Sequence, residues 1–236
     1  MAGESSRFKD SSWGDYKPLV KVHGKTIIEW TISSMNVDCS KLCFVIRKDH
    51  ENEYHVSENL LQIFGNTIEI MILDSPTAGN LATGLMGYDH FKCDPNSPVL
   101  FLDSDNFFDG KDLEFETELS CAAVCSFAPI DDSSKWCFVV EKNGKATELL
   151  EKDRRALQMG GRPMVGVFYF SKGKLFQQAA LNIIVSGHKR HGECFMSQAI
   201  QSILNDRIPV FSKHVKDPVP LGTPDDVKKF EDDNLC

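Results

Sequence analysis

The sequence predicts an α/β protein. Three observations carry that reading. Short apolar runs alternate with amphipathic stretches through the first hundred residues. Their spacing, strand then helix then strand, suits a parallel sheet with right-handed crossovers. The last of these runs, Val99-Leu100-Phe101-Leu102, breaks abruptly into Asp103-Ser104-Asp105-Asn106, and the carboxyl ends of such strands are where open α/β sheets bind ligands.

In chain order, Leu42 to Ile46 is a buried strand and Tyr54 to Phe64 a helix. Thr67 to Leu73 gives the next strand, Ala78 to His90 a helix, and Val99 to Leu102 the third strand. The second half changes character. Ala122 to Phe127, Trp136 to Glu141 and Thr147 to Glu151 alternate as strands do, with Asn143-Gly144 as a hairpin turn between the last two. Val165 to Phe170 is a further strand. Helices follow over Lys174 to Val185 and Cys194 to Asn205, then a short strand, Ile208 to Phe211. Thr223-Pro224-Asp225-Asp226 opens a last helix with a Thr cap, an early proline and acids at the positive end. No repeat or long linker interrupts the chain. The expectation is one domain over 1–236, with a parallel half (1–120) and a mixed half (121–236).

At 236 residues, 42% hydrophobic and 25% charged, the composition is that of a soluble globular enzyme. The net charge of −8 argues against a broad nucleic-acid surface, while leaving room for a small basic pocket. No apolar run approaches the ~20 residues that span a bilayer, so no membrane is expected. Eight cysteines sit largely in apolar stretches such as Cys121-Ala122-Ala123-Val124-Cys125, with no C-x-x-C pair. Reduced thiols in a cytoplasmic protein are expected. His188 and His191 lack a matching ligand cluster for zinc.

Three constellations carry candidate chemistry. The first, Met1 to Lys17, combines small residues (Ala2, Gly3, Ser5, Ser6) with Arg7 and Lys17. Backbone N–H groups of such a loop can face phosphate oxygens while the cations add charge; a polar chain end is the plain alternative. The second is the acidic tip, Asp103, Ser104, Asp105 and Asn106. Hard oxygen ligands there suit Mg²⁺, which takes one or two carboxylates and fills its shell with water and phosphate; a polar turn is the plain reading. The third is the turn Ser75-Pro76-Thr77-Ala78-Gly79-Asn80, where Gly79 would let a flat base approach the backbone. Glu151-Lys152 places a cation at a strand end, and Gly192-Glu193 and Gly222-Thr223-Pro224 are turns or caps when viewed singly.

Taken in order, these pieces resemble a family. M-A-G-x-S-S-R-F, Lys17-Pro18-Leu19, V-H-G-K-T-I-I-E-W, S-P-T-A-G-N, L-D-S-D-N, E-L-L-E-K, V-G-V-F-Y-F and L-G-T-P-D-D together resemble the sugar-phosphate nucleotidyltransferases, from Met1 to about Phe230. The short bacterial-type members associated with capsule and surface-polysaccharide precursors are the nearest in pattern. The resemblance implies a Rossmann-like, glycosyltransferase-A-like fold, a mixed and mostly parallel sheet flanked by helices. It also implies transfer of NMP from an NTP to a sugar 1-phosphate, with release of pyrophosphate. By position, Ala2, Gly3, Ser5 and Ser6 would wrap the nucleotide phosphates, with Arg7 on the β- and γ-phosphates and Lys17 at the α-phosphorus. Pro76, Ala78 and Gly79 would meet the base, with Asp103 and Ser104 alongside the nucleotide. Asp105 would hold Mg²⁺. Asn106, Glu151, Lys152, Gly166 and Glu193 would face the phosphorylated acceptor.

The chain departs from the pattern in three places. Ser5 stands where the family loop usually has a second glycine, and serine serves there if its φ is negative. Pro220 stands where many relatives place a second metal-binding aspartate; Asp217 is close in sequence. Relatives also carry an apolar strand of about half a dozen residues just before the loop, and the expectation is that the reading frame extends upstream to supply it. Two other readings stand beside the main one: a cytidylyltransferase for a non-sugar phosphate acceptor, and a non-catalytic nucleotide-sugar-binding homologue. The base, the acceptor and the oligomeric state, a homo-oligomer included, stay open.

Overall fold

In the computed structural model, residues 1–236 are described except 4, 10, 15, 37–38, 118–119, 129–135 and 234–236. A 3₁₀ turn over Lys17–Leu19 precedes β1 (Lys21–Val22), β2 (Lys25–Thr26) and α1 (Ile27–Ser33). Then come β3 (Cys43–Arg47), α2 (Lys48–Tyr54), α3 (Val56–Phe64), β4 (Glu69–Leu73), α4 (Asn80–His90), β5 (Val99–Leu102) and β6 (Asn106–Asp109). The remainder is β7 (Ala122–Ser126), β8 (Cys137–Lys142), β9 (Lys145–Glu151), α5 (Arg155–Gln158), β10 (Arg162–Phe170), α6 (Gly173–Ser186), α7 (Met196–Asn205), β11 (Val210–His214), β12 (Lys216–Pro220) and α8 (Pro224–Asp232). The α/β class read from the sequence is the class observed. None of the helices among the described residues is long and apolar enough to cross a membrane.

The chain forms two compact units. The first comprises Met1–Pro76, Asp103–Asp112 and Asp217–Cys236. Its β1–β2 hairpin turns through His23-Gly24, both at positive φ (49° and 76°), as a two-residue hairpin loop requires. Thr26 then caps α1: its hydroxyl accepts from Glu29 N–H while the Glu29 carboxylate accepts from Thr26 N–H. At the far end of α1, the Ser34 hydroxyl accepts from Phe108 N–H at 3.1 Å and the Ser34 carbonyl from Gly110 N–H at 3.0 Å. These two bonds fix β6, the strand that follows the acidic tip. β6 also pairs with β12, and β3 pairs in parallel with β4. Two apolar clusters hold this unit together. One gathers Phe8, Val20, Val22, Ile27, Leu221, Val227 and Phe230; the other gathers Tyr16, Ile28, Phe44, Ile46, Val56, Leu60 and Ile68.

The second unit, Thr77–Leu102 with Leu113–Lys216, is built on a six-stranded sheet ordered β5-β10-β7-β11-β9-β8. β10 runs antiparallel to β5, β7 and β8; only β7–β11 is parallel. The sheet is therefore mixed with antiparallel pairings in the majority, rather than mostly parallel. Alternating strands and helices report crossovers, but not that β5 pairs with β10, Leu102 facing Val167 and Val99 facing Phe170. The core beneath this sheet is aromatic. Phe176 is fully buried, with its ring 4.3 Å from Phe101, 5.1 Å from Phe170 and 5.6 Å from Tyr88.

Element boundaries differ from the sequence reading in instructive ways. The helix expected over Tyr54 to Phe64 is found as α3 from Val56, and a helix not expected from the sequence, α2, precedes it and ends at His55, which sits at φ 49°. The Asn143-Gly144 turn is present with both residues at positive φ. Seven cysteines lie in the described residues, none of them in a disulfide; Cys121, Cys125 and Cys194 are buried, whereas Cys39 is exposed. Truncating Phe176 to Ala removes the hub of the aromatic cluster and should cost about 3–5 kcal/mol of stability. Urea unfolding measures it; a loss below about 1 kcal/mol would show that this cluster does not anchor the second unit.

Candidate active site

In the first unit, the N-terminal segment is held at two described points: the Tyr16 hydroxyl donates to the Met1 carbonyl at 3.1 Å, and Phe8 anchors the residues after Ser5. Phe8 is fully buried, and its N–H closes a turn onto the Ser5 carbonyl at 2.9 Å. That anchor turns the neighbouring Arg7 outward: it is exposed and makes no ion pair among the described residues. A Cβ added at Gly3 would meet nothing within 4 Å, so the backbone there is open to a close approach. Ser5 sits at φ 53°. The condition under which serine equals glycine at this position is therefore not met: the side chain is held in the left-handed region that costs a non-glycine residue roughly 1–2 kcal/mol.

Lys17 and Asp105 come together. Tyr16, buried and stacked 5.3 Å from Tyr54, fixes the start of the 3₁₀ turn, and Pro18 holds its φ. The Lys17 ammonium reaches Asp105 Oδ2 at 2.7 Å, joining residues 88 positions apart. The two side chains are 19% and 29% exposed, so the pair is sheltered but reachable. Asn106 Nδ2 donates to Asp105 Oδ1 at 3.1 Å, and Leu221 N–H donates to the Asp105 carbonyl at 2.8 Å. The acidic tip is thus fastened from both sides. Gly222 follows immediately. A Cβ there would lie 3.5 Å from Asp105 Oδ2, 3.8 Å from Arg7 Nη1 and 3.9 Å from Asp226 Oδ2. Charges of both signs border the space above this glycine.

Whether these residues suit Mg²⁺ can be judged from the donor set. A carboxylate offers about four lone-pair sites, and Asp105 has spent one on Lys17 and one on Asn106. Among the described residues no three His, Cys, Asp or Glu gather as a metal cage. That donor set fits Mg²⁺ bound through one or two carboxylates and substrate phosphates. Asp217 is exposed on β12, at φ 46°.

Pro76, Asp103 and Ser104 also belong to the first unit, whereas the second holds Ala78, Gly79, Glu151, Lys152, Gly166 and Glu193. Gly79 sits at φ 132°, and a Cβ there would lie 2.4 Å from the Cys194 carbonyl oxygen. The turn is stitched to that segment by Cys194 N–H to the Ala78 carbonyl at 2.7 Å and Leu81 N–H to the Cys194 carbonyl at 3.1 Å. The glycine is required first by this backbone contact. Glu151, 9% exposed at the end of β9, accepts from the Ser197 hydroxyl at 2.8 Å. Burial, followed by the charge of Glu151, pushes the Cys137 thiol well above its ordinary value. Lys152 sits at φ 51°, a reversal that turns it away from the buried Glu151 and places its ammonium 5.1 Å over the Phe195 ring. Gly166, at φ 72°, lies where the β10–β7 register shifts. Sequence reasoning passed over Ser197 and Phe195, and it read Gly222 and Asp226 only as turn and cap. None of these four carries a spacing signal that separates it from ordinary helix capping or packing.

Comparison with known proteins gives a family and a fold. A family model described as nucleotidyl transferase matches residues 1–226. Among solved structures, a nucleoside-diphosphate-sugar pyrophosphorylase from Vibrio cholerae RC9 superposes with a TM-score of 0.81 at 19% identity, covering 99% of this chain and 98% of that one. The inositol-1-phosphate CTP transferase of T. maritima gives 0.70 at 13% identity, covering 100% and 95%. The CTP:phosphocholine cytidylyltransferase of Streptococcus pneumoniae gives 0.68 at 16%, covering 98% and 94%. At these identities the likeness is one of fold. No curated protein matches the sequence.

Two substitutions probe the local geometry. Ser5→Gly relieves the left-handed serine and should leave stability unchanged or raised by up to about 1 kcal/mol, after the added flexibility of the unfolded chain is offset. A clear loss in urea unfolding would show that the serine side chain is needed where it is. Gly79→Ala forces a methyl onto the Cys194 backbone and should cost roughly 2–5 kcal/mol; an unchanged midpoint would disprove the contact.

Proposed function

Because this chain belongs to the nucleotidyl transferase family, we propose that it transfers NMP from an NTP to a sugar 1-phosphate. Pyrophosphate is released and an NDP-sugar formed, for polysaccharide or glycoconjugate synthesis in the cytoplasm. The observation that supports this reading best is the Lys17–Asp105 pair beside the exposed Arg7, which has no ion-pair partner among the described residues. A cation and a metal-competent carboxylate meet where the family pattern expects the triphosphate.

The chemistry asks little of the protein beyond placement and charge. An oxygen of the acceptor phosphate attacks the α-phosphorus, a new P–O bond forms, and the α–β bridging bond breaks as pyrophosphate departs. The nucleophile is already ionised, so no Ser, Cys or His needs activation. Lys17 takes charge developing at the α-phosphoryl oxygens, Arg7 takes charge on the β- and γ-phosphates, and the N–H groups of the Gly3 loop add dipoles. Asp105, with Asn106 steadying it, would hold Mg²⁺. Bound there, the ion would neutralise phosphate charge and align the two polyanions. In the second unit Glu151 would accept from an acceptor hydroxyl, Lys152 would meet the acceptor phosphate, and Gly166 and Glu193 would border the sugar.

Lys17→Ala or Asp105→Ala should each lower turnover by about 10²–10³ or more with native circular dichroism retained. The assay follows pyrophosphate release across a panel of CTP, UTP, dTTP, ATP and GTP. Acceptors are sugar 1-phosphates, inositol 1-phosphate and phosphocholine, with Mg²⁺ and then with EDTA. Release with a sugar 1-phosphate supports the proposal. Release confined to inositol 1-phosphate or phosphocholine assigns the non-sugar acceptor instead. Silence across the panel, with nucleotide still bound, would mark a binding homologue.

A further inference from the structure

α7 opens without a cap of its own. An α-helix leaves its first N–H groups without intrahelical partners, and a side-chain oxygen at the N-cap normally takes one of them. Here the N-cap is Phe195, whose side chain has no acceptor. The missing oxygen comes from another helix. Asn80, the first residue of α4, accepts from Met196 N–H through its Oδ1 at 2.8 Å, across 116 positions of sequence. Beside this bond the backbones are already joined, by Cys194 N–H to the Ala78 carbonyl at 2.7 Å and by Leu81 N–H to the Cys194 carbonyl at 3.1 Å. We propose that Asn80 is a positioning residue that couples nucleotide to acceptor. An NTP that orders the turn at Ala78 and Gly79 also orders, through Asn80, the 194–198 segment that orients Glu151 and Lys152. This inference rests on the nucleotidyltransfer reading above.

Three features support it. The turn and the segment are in direct backbone contact: a Cβ at Gly79 would lie 2.4 Å from the Cys194 carbonyl oxygen and 2.8 Å from its nitrogen. Neither can shift far without the other. The segment in turn holds two residues read as acceptor contacts. Ser197, in the first turn of α7, spends its hydroxyl on Glu151 Oε2 at 2.8 Å rather than on capping, with both residues buried. Phe195 carries the Lys152 ammonium 5.1 Å over its ring. Finally, the chain that leads into this segment lies outside regular structure. From the end of α6 to the start of α7 it passes through positive φ at Gly187, His191 and Gly192. Its own supports there are an isolated bridge between Arg190 and Glu193 and the Gln198 side chain, which meets Phe195 N–H and the His188 carbonyl. Further order is borrowed from α4 through Asn80. A ligand that rigidifies the turn extends that order to the segment, so an acceptor binding next has less ordering to supply.

Amide hydrogen exchange reads the coupling directly. Wild type, Asn80→Ala and Asn80→Asp are followed by mass spectrometry of overlapping peptides, with and without Mg²⁺ and each of CTP, UTP, dTTP, ATP and GTP. Calorimetry records which nucleotide binds. Aspartate keeps an oxygen for Met196 N–H, and its charge is favourable in the first turn of a helix. In wild type the bound nucleotide should slow exchange across 194–198 by about fivefold or more, the low end of typical coupling between sites. Asn80→Ala should bind nucleotide and protect the turn but lose the protection of 194–198; Asn80→Asp should keep it. Should Asn80→Ala unfold, Asn80→Ser, whose hydroxyl falls one bond short of Met196 N–H, takes its place. A cap that serves the fold alone would leave 194–198 indifferent to nucleotide in wild type, and that result overturns the assignment. Protection that survives in Asn80→Ala, or is lost in Asn80→Asp, overturns it too. So does an Asn80→Ala protein that no longer binds nucleotide, because Asn80 would then serve the nucleotide itself. Wild-type protein that binds no NTP overturns the nucleotidyltransfer reading and this inference together.

Discussion

The ion pair between Lys17 and Asp105 is the constraint around which the candidate site of the first unit is built. It joins a short turn near the start of the chain to the loop after β5. Each partner is placed by packing rather than by the pair itself. Lys17 is set by buried Tyr16 and the proline after it; Asp105 is set by Asn106, by Leu221 N–H and by the bonds from Ser34 to β6. A partly buried pair of this kind adds little net stability, because desolvation offsets attraction. Its consequence is a cation and an anion held at short range in a partly exposed position, which the proposed function assigns to the triphosphate and its metal.

Glycines and left-handed residues mark where the backbone is asked to come close to something. Gly79 admits the Cys194 backbone, while Gly222 keeps clear a space bordered by Arg7, Asp105 and Asp226. Ser5 and Lys152 adopt positive φ without the freedom of glycine. Strain of this sort, of order 1–3 kcal/mol per residue, is kept only where surrounding contacts over-determine it. Phe8 and the Ser5–Phe8 turn do so for Ser5, and the bond from Lys152 N–H to the Trp136 carbonyl does so for Lys152.

Much of this was legible in the sequence, and the misses have physical causes. The strands β3, β4, β5 and β7, the Asn143-Gly144 turn and the Thr223 cap are local signals, set by periodicity and turn chemistry, and they appear where expected. The Thr26-x-x-Glu29 capping box was equally local and would have given α1. What periodicity does not encode is partnership. That β10 lies between β5 and β7, both antiparallel to it, follows from long-range packing. The same limit governs the site: L-D-S-D-N announced a carboxylate, and the N-terminal segment announced cations. That Asp226 borders the same space is visible only once α8 is docked, because its sequence signature is that of a helix cap.

On the proposed function, the Lys17–Asp105 pair serves the nucleotide and its metal rather than the fold. Equilibrium binding of Mg²⁺–NTP to the doubly exchanged protein, Lys17→Asp with Asp105→Lys, examines that directly. The exchange keeps one attractive pair but reverses which side carries the cation. The expected result is a folded protein that no longer binds the nucleotide the wild type binds. Wild-type affinity in the exchanged protein would show the pair to be structural and would contradict the account.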